Sequence, residues 1–262
     1  MKKLFFLFVI VSLVFSSHAE IRKHKYSEEE RQAQREKFRT LTGGFIFDVR
    51  NAGVAVSIIN MQNIVKDDFL KSRADYYSSR IFCKVVYCHT NATVNLMNAK
   101  DIVSSFRGIG GVLLVGNDEL PALVVLPESK ATIVNVKALT IDSPTDEKLK
   151  ARVAKELTRA IGFTLGVGYS ERPGGPMSPL VSLKDLDAII ADGFSDDTIM
   201  NITKAINRLG VGRYRRTTYL KACEEGWAPT PADKYQKAIW DKVHAMPTEP
   251  IKIKPEEKKT EK

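Results

Sequence analysis

One segment constrains the fold of this chain more than any other: a long helical pattern runs directly into a loop rich in glycine and proline. Ser143 and Pro144 are predicted to cap and to begin the helix. Apolar and small residues then recur at helical spacing, at Leu149, Val153, Leu157, Ala160, Ile161 and Thr164. The pattern predicts a helix over residues 144–165, followed by a loop with Pro173, Gly174, Gly175, Pro176 and Pro179.

Eleven residues of this helix, KELTRAIGFTL, resemble the metzincin zinc-peptidase signature H-E-x-x-H-x-x-G-x-x-H. Its glutamate and its glycine are present as Glu156 and Gly162. Its three histidine positions hold Lys155, Arg159 and Leu165. The signature is therefore degenerate.

A methionine extends the resemblance, which is greatest to the archaemetzincin branch. Met177 lies in the loop after the helix, where the family has the methionine turn beneath its zinc ion. The resemblance covers about Val54 to Asp187. It implies an α/β (α+β) fold: a mixed twisted sheet with an antiparallel edge strand, the long former zinc helix and a helical C-terminal subdomain.

The residues at the ligand positions do not suit zinc. Lys155 and Arg159 are cationic near neutral pH, and Leu165 has no donor atom. Glu156, the general base of the active family, cannot hold the ion alone. The histidines that follow the export signal, His24, His89 and His244, are too far apart in sequence to suggest a substitute site. We expect no metal, no other cofactor and no catalytic residue.

An edge strand is predicted just before the long helix. Pro121 and Pro127 bracket a short apolar run, and prolines are tolerated at a sheet edge, where a missing N–H does no harm. In the metzincin plan this strand lines the substrate cleft. The resemblance therefore implies four cleft-lining residues: Leu123, Val124, Val125 and Leu126.

The N-terminus has the pattern of an export signal. Lys2 and Lys3 precede an apolar run that is too short to span a membrane, and Ser17-His18-Ala19 fits a cleavage site. We expect a periplasmic or extracellular protein that begins near Glu20 and has no membrane span.

Composition shifts suggest the remaining boundaries. We predict a signal peptide over 1–19, a polar N-terminal arm over 20–42, a metzincin-like domain over 43–180, a helical subdomain over 181–246 and a disordered tail over 247–262.

Charge and cysteine content say little about partners. The formal net charge is +9, but the basic residues are dispersed, so nucleic acid is not expected as a partner. No role follows for the basic cluster that contains Arg213, Arg215 and Arg216. Cys83 and Cys88 could pair across a tight turn but not along one extended strand, and Cys223 is left over.

Two interpretations of the helix stay open. Lys148, Arg152, Lys155 and Arg159 could be the solvated stripe of an ordinary surface helix, which would make the match a coincidence. In a degenerate site, Glu156 would instead pair with Arg159 and could also reach Arg152.

The sequence favours an exported, catalytically inactive metzincin-like protein whose former cleft binds a peptide or protein by strand addition. The alternatives are a hydrolase that uses other residues and a purely structural envelope protein. The ligand and the oligomeric state do not follow from the sequence.

Overall fold

The computed structural model describes residues 27–170 and 174–245, so the predicted signal peptide, His24 and the predicted tail lie outside the described residues. The elements, in chain order, are α1 Glu28–Thr42, β1 Phe45–Asp48, β2 Val54–Met61, α2 Asp67–Ile81, β3 Lys84–Thr90, α3 Ala99–Ser104, β4 Gly110–Val115, β5 Leu123–Leu126, β6 Ala131–Asn135, α4 Asp146–Thr164, α5 Leu183–Ala188, α6 Asp196–Arg208, β7 Arg215–Thr218, α7 Tyr219–Glu224 and α8 Lys234–His244.

The chain divides into two compact units. Among the described residues, the smaller unit comprises 27–46 and 217–245, and the larger comprises 47–170 and 174–216. The predicted subdomain over 181–246 is split between them, because α5 and α6 belong to the larger unit and α7 and α8 to the smaller. Leu186 of α5, together with Ile202 and Ile206 of α6, is buried in the main core of the larger unit.

The larger unit is built on a five-stranded sheet in the order β3-β2-β4-β6-β5. All neighbouring strands are parallel except β5, which runs antiparallel to β6 at one edge. The predicted mixed sheet with an antiparallel edge strand is confirmed. β1 and β7 form a separate two-stranded sheet.

The sheet is covered on both faces, as the nearly continuous apolar runs of its central strands require. On one face, Ile58 and Leu114 join a core cluster with apolar residues of α2 and α4. On the other face, Ile59 and Leu113 join a second cluster with Val103 of α3. Successive residues along a strand point to opposite faces, so one strand supplies both clusters.

One helix boundary differs from the sequence prediction. The long helix α4 is capped by Thr145, whose side chain accepts a hydrogen bond from the Lys148 amide, and not by Ser143. Strand β3 begins at Lys84. Helix α2 continues to Ile81 and ends where Phe82 takes the left-handed conformation, with φ of 54°.

The smaller unit is helical. Ser27 caps α1, and the Glu30 side chain accepts a hydrogen bond from the Ser27 amide in return, as in a capping box. A small core is formed around Tyr219, Cys223 and Ile239. Among the residues that the structure describes, no helix combines the length and apolarity needed to cross a membrane.

The cysteines are all free thiols. Cys88 lies in β3 and Cys83 immediately precedes that strand, so the two sit along one extended segment and cannot pair. Burial raises the pKa of both thiols.

Candidate functional site at the degenerate signature

Helix α4 is buried on nearly all sides, which is unusual for a helix with so many charges. The relative exposures are 1% for Arg152, 8% for Lys155, 4% for Glu156 and 4% for Arg159. The interpretation of these cations as a solvated stripe is therefore wrong, and only Lys148 at the start of the series is exposed. Each buried charge must instead find partners inside the protein.

The segment that carries Met177 packs directly against α4. We call residues 174–178 the methionine loop. A Cβ atom placed on Gly162 would lie 2.8 Å from both the sulfur and the terminal methyl of Met177. The helix and the loop can approach this closely only because residue 162 has no side chain. Whether this loop is a methionine turn in the family's sense stays a prediction.

Arg159, at the second histidine position, bonds to the same loop. Its Nη1 donates to the carbonyl oxygens of Pro176 and Ser178, at 2.8 and 2.7 Å. Its Nε donates to Glu156 Oε2 at 3.1 Å. The guanidinium also lies 5.8 Å from the centre of the Phe163 ring.

Lys155, at the first histidine position, reaches a different segment. Its Nζ donates to the carbonyl oxygens of Leu186 and Asp187, at 3.0 and 3.2 Å. These two residues lie in the last turn of α5, where a helix has carbonyl groups without intrahelical partners. Lys155 therefore caps the C-terminal end of α5.

Glu156 pairs with Arg159, as the sequence predicted, and does not pair with Arg152. Both side chains of this pair are 5% exposed, so the pair is buried rather than on the surface. Burial raises the pKa of the Glu156 carboxyl, and the charge and hydrogen bond of Arg159 act in the opposite direction.

Arg152 has its own partners, which sequence reasoning missed. Its Nε and Nη2 donate to the two carboxylate oxygens of Asp187 at 2.8 and 2.7 Å, and its Nη2 also donates to Asp142 at 2.7 Å. Its Nη1 donates to the carbonyl of Leu139 at 2.7 Å. Hydrogen bonds from Arg152 lower the pKa of both carboxyl groups.

A zinc ion does not fit these residues. The side chains at the first two ligand positions are cations already bonded to backbone carbonyls, and Leu165 at the third is buried in the apolar core. Within residues 27–170 and 174–245, no three His, Cys, Asp or Glu side chains cluster in a way that could hold a metal ion.

A pocket of about 260 Å³ lies beside the predicted cleft strand. Its apolar lining comes from the end of β5, the C-terminal ends of α4 and α6 and the residue before β4: Val125, Leu126, Phe163, Leu165, Leu209 and Ile109. Lys130 also lines it and is exposed. The edge strand and the C-terminal end of α4 therefore share one concave surface.

The open side of β5 carries unpaired backbone. The Ala122 carbonyl accepts a hydrogen bond from the Asn135 amide at 2.9 Å, so the even-numbered residues of β5 exchange hydrogen bonds with β6. The N–H and C=O groups of Leu123 and Val125 therefore point away from the sheet. No strand in the described part of the chain pairs with this side of β5.

The basic cluster does not form a single patch. Arg213 is half-buried with its guanidinium 5.6 Å from the centre of the Phe82 ring, whereas Arg215 and Arg216 are exposed on β7. No function follows from this placement.

Neither the family models nor the curated proteins that were searched include a match to this sequence. Among solved structures, the chain is similar to archaemetzincin from Methanopyrus kandleri, at 18% identity and a TM-score of 0.48 over 61% of this chain and 98% of that one. It is also similar to a zinc-dependent peptidase from Methanocorpusculum labreanum, at 13% identity and a TM-score of 0.45 over 56% of this chain and 100% of that one. A third similar structure is archaemetzincin from Archaeoglobus fulgidus in complex with malonate, at 15% identity and a TM-score of 0.42 over 56% and 99%.

Proposed function

We propose that this chain is an exported, non-catalytic binding protein that takes an extended peptide along β5. The observation that carries the proposal is the open edge of β5, with its outward backbone groups at Leu123 and Val125, directly beside the pocket at the end of α4. A peptide strand would gain main-chain hydrogen bonds from the edge and side-chain contacts from the pocket.

The surface next to the pocket suits a peptide side chain. Phe163 and Tyr169 pack edge to face with their ring centres 5.0 Å apart, and Tyr169 is 60% exposed. Leu209, which also lines the pocket, is 44% exposed. A cavity of about 150 Å³ holds a benzene ring, so the pocket of about 260 Å³ can take a large apolar side chain. Exposed aromatic and aliphatic groups around a concave site are typical of binding surfaces.

The prolines at both ends limit what can bind. Pro121 and Pro127 flank the four residues of β5 and cannot donate hydrogen bonds to an added strand. An added strand would therefore pair over a short stretch only. A short segment of a folded or unfolded partner fits this edge better than a long strand.

The non-catalytic part of the proposal rests on the residues at the former ligand positions. Lys155 and Arg159 are engaged with backbone carbonyls, and Glu156 with Arg159. None of the three side chains presents the water-activating arrangement that a zinc peptidase uses. Export rests on the signal pattern of residues 1–19 and is tested by the N-terminus of the protein recovered outside the cytoplasm, which should lie near Glu20.

The experiment is a selection of binders from a phage-displayed library of random linear peptides, followed by calorimetry with the enriched peptide. Val125→Pro removes one outward N–H and leaves the β6 ladder intact, so it should abolish binding. Val125→Thr keeps the N–H and is the matched control, which should bind nearly as the parent does. Equal binding by the proline variant, or no enriched peptide, contradicts the proposal.

The same purified protein tests the rival hydrolase. It is incubated with a library of internally quenched fluorescent peptides, with and without added zinc. Cleavage that follows the protein through the last purification step would favour the hydrolase, and uncleaved peptides together with measurable binding would favour the proposed function.

A further inference from the structure

The two cations at the former ligand positions hold separate segments of this fold together. We infer that Arg159 and Lys155 act as built-in cations that join α4 to the methionine loop and to α5, in place of the joining that a metal ion would provide at these positions. This inference concerns the centre behind the cleft and does not depend on peptide binding at β5.

Arg159 is suited to the loop because it can donate to several acceptors at once. The carbonyls of Pro176 and Ser178 flank Met177, and both accept from the same guanidinium nitrogen. A third bond goes to Glu156, which is on the same helix. A planar guanidinium offers five donors in a rigid fork and is less strongly hydrated than an ammonium, so it can be buried among several acceptors. One side chain therefore fixes the loop on both sides of the methionine.

Lys155 is suited to α5 because the end of a helix is electronegative. Leu186 and Asp187 supply carbonyl oxygens close to the end of α5, and a cation near such carbonyls is favourable. The Leu186 side chain is buried in the main core, so α5 is anchored there as well. Lys155 thus fixes a segment that Arg159 does not contact.

The charge balance explains why no further cation is needed. Two buried cations are compensated by one carboxylate, Glu156, and by four carbonyl oxygens. A divalent cation would have to enter next to two fixed positive charges, whose repulsion is strong in a region shielded from water. The segments around Lys155, Glu156 and Arg159 are therefore held together by the protein's own charges.

Hydrogen exchange of the full chain, read by mass spectrometry or NMR, tests the inference because the two cations hold different segments. Arg159→Met should raise the exchange rates of the Ser170 and Ser178 amides, which bond to Met177 and Gly175 of the loop, by roughly tenfold or more. Lys155→Met should do the same for the Leu186 and Ile189 amides of α5 and its C-terminus. Lys150→Met, an exposed lysine on the same helix, should leave all four amides unchanged.

Arg159→Lys separates charge from geometry. It keeps the positive charge but loses the fork, so loop exchange should lie between those of the parent and the methionine variant. The inference is overturned if both methionine variants raise exchange uniformly over the larger unit, or if Arg159→Met leaves the loop amides as protected as in the parent. Neither result bears on peptide binding at β5, which has its own variants.

Discussion

Gly162 and Met177 are in direct contact, fifteen residues apart in sequence, because the helix has no side chain where the methionine sulfur lies. The contact places the loop after α4 against the glycine of the degenerate signature. Both residues are buried, so neither can move away freely.

Gly162→Ala should therefore destabilise the protein, although alanine is the better helix former. The added methyl lies 2.8 Å from the end of the Met177 side chain, and overpacking of this kind costs about 1–3 kcal/mol against a gain of about 1 kcal/mol in helix propensity. Denaturant unfolding of Gly162→Ala, Met177→Ala and the double variant measures the coupling. In the Met177→Ala background the alanine at 162 should become stabilising. An equal effect in both backgrounds would show that the contact does not constrain the helix.

Gly110→Ala should be more damaging. A Cβ atom there would meet the Lys130 carbonyl and lie 2.6 Å from the methyl group of Thr164, and backbone cannot move aside as a flexible side chain can. We expect a loss of more than about 3 kcal/mol in the free energy of unfolding. Gly168→Ala is the control, since nothing lies within 4 Å of its Cβ position. Equal thermal stabilities for the two variants would contradict the packing at this end of the sheet.

Asp187→Asn should lower the free energy of unfolding at neutral pH. The difference from the parent should disappear in acid. Hydrogen bonds from Arg152 lower the pKa of the Asp187 carboxyl in the folded state, so its contribution is present above its unfolded pKa and disappears as pH falls through the folded pKa. Because Arg152 keeps Asp142 and the Leu139 carbonyl, we expect a cost of about 1–3 kcal/mol.

The control for this effect is Asp118→Asn, which breaks an exposed ion pair with Lys137 and should cost no more than about 1 kcal/mol. Unfolding by urea over a range of pH makes the comparison. An Asp187→Asn deficit that is unchanged in acid would show that the carboxylate charge is not what Arg152 requires.

For Glu156→Gln, the stability difference from the parent should depend on pH in the opposite direction. Burial raises the pKa of this carboxyl, so the stabilising contribution of the protonated form is complete below the unfolded pKa and is lost as pH rises through the folded pKa. The parent should therefore lose stability relative to Glu156→Gln as pH rises over the range that begins at the unfolded carboxyl pKa and ends at the raised folded pKa. Thermal unfolding of both proteins across this range measures the difference. A parent that gains on the variant as pH rises would mean that Arg159 outweighs burial.

Local patterns predicted part of this molecule. The spacing of Leu149, Val153 and Leu157 marked α4, and Pro121 and Pro127 marked β5, because both signals lie within a few residues of the element they define. The cap at Thr145 and the helix stop at Phe82 were not predicted, since several residues near each boundary have similar preferences.

The burial of the cations could not be predicted from sequence. Lysine and arginine are normally exposed, and the partners of Arg152 lie 10 and 35 residues away in the chain. Only the tertiary fold brings Asp142 and Asp187 to the same guanidinium. The backbone carbonyls that accept hydrogen bonds from Lys155 and Arg159 have no sequence signal at all.

The most direct test of the account is the zinc content of the purified full chain, measured by atomic emission after dialysis against zinc and then against zinc-free buffer. Because Lys155, Arg159 and Leu165 cannot serve as ligands, the account predicts far less than one zinc ion per chain. One tightly held zinc ion per chain, lost in a variant at Glu156, would contradict it.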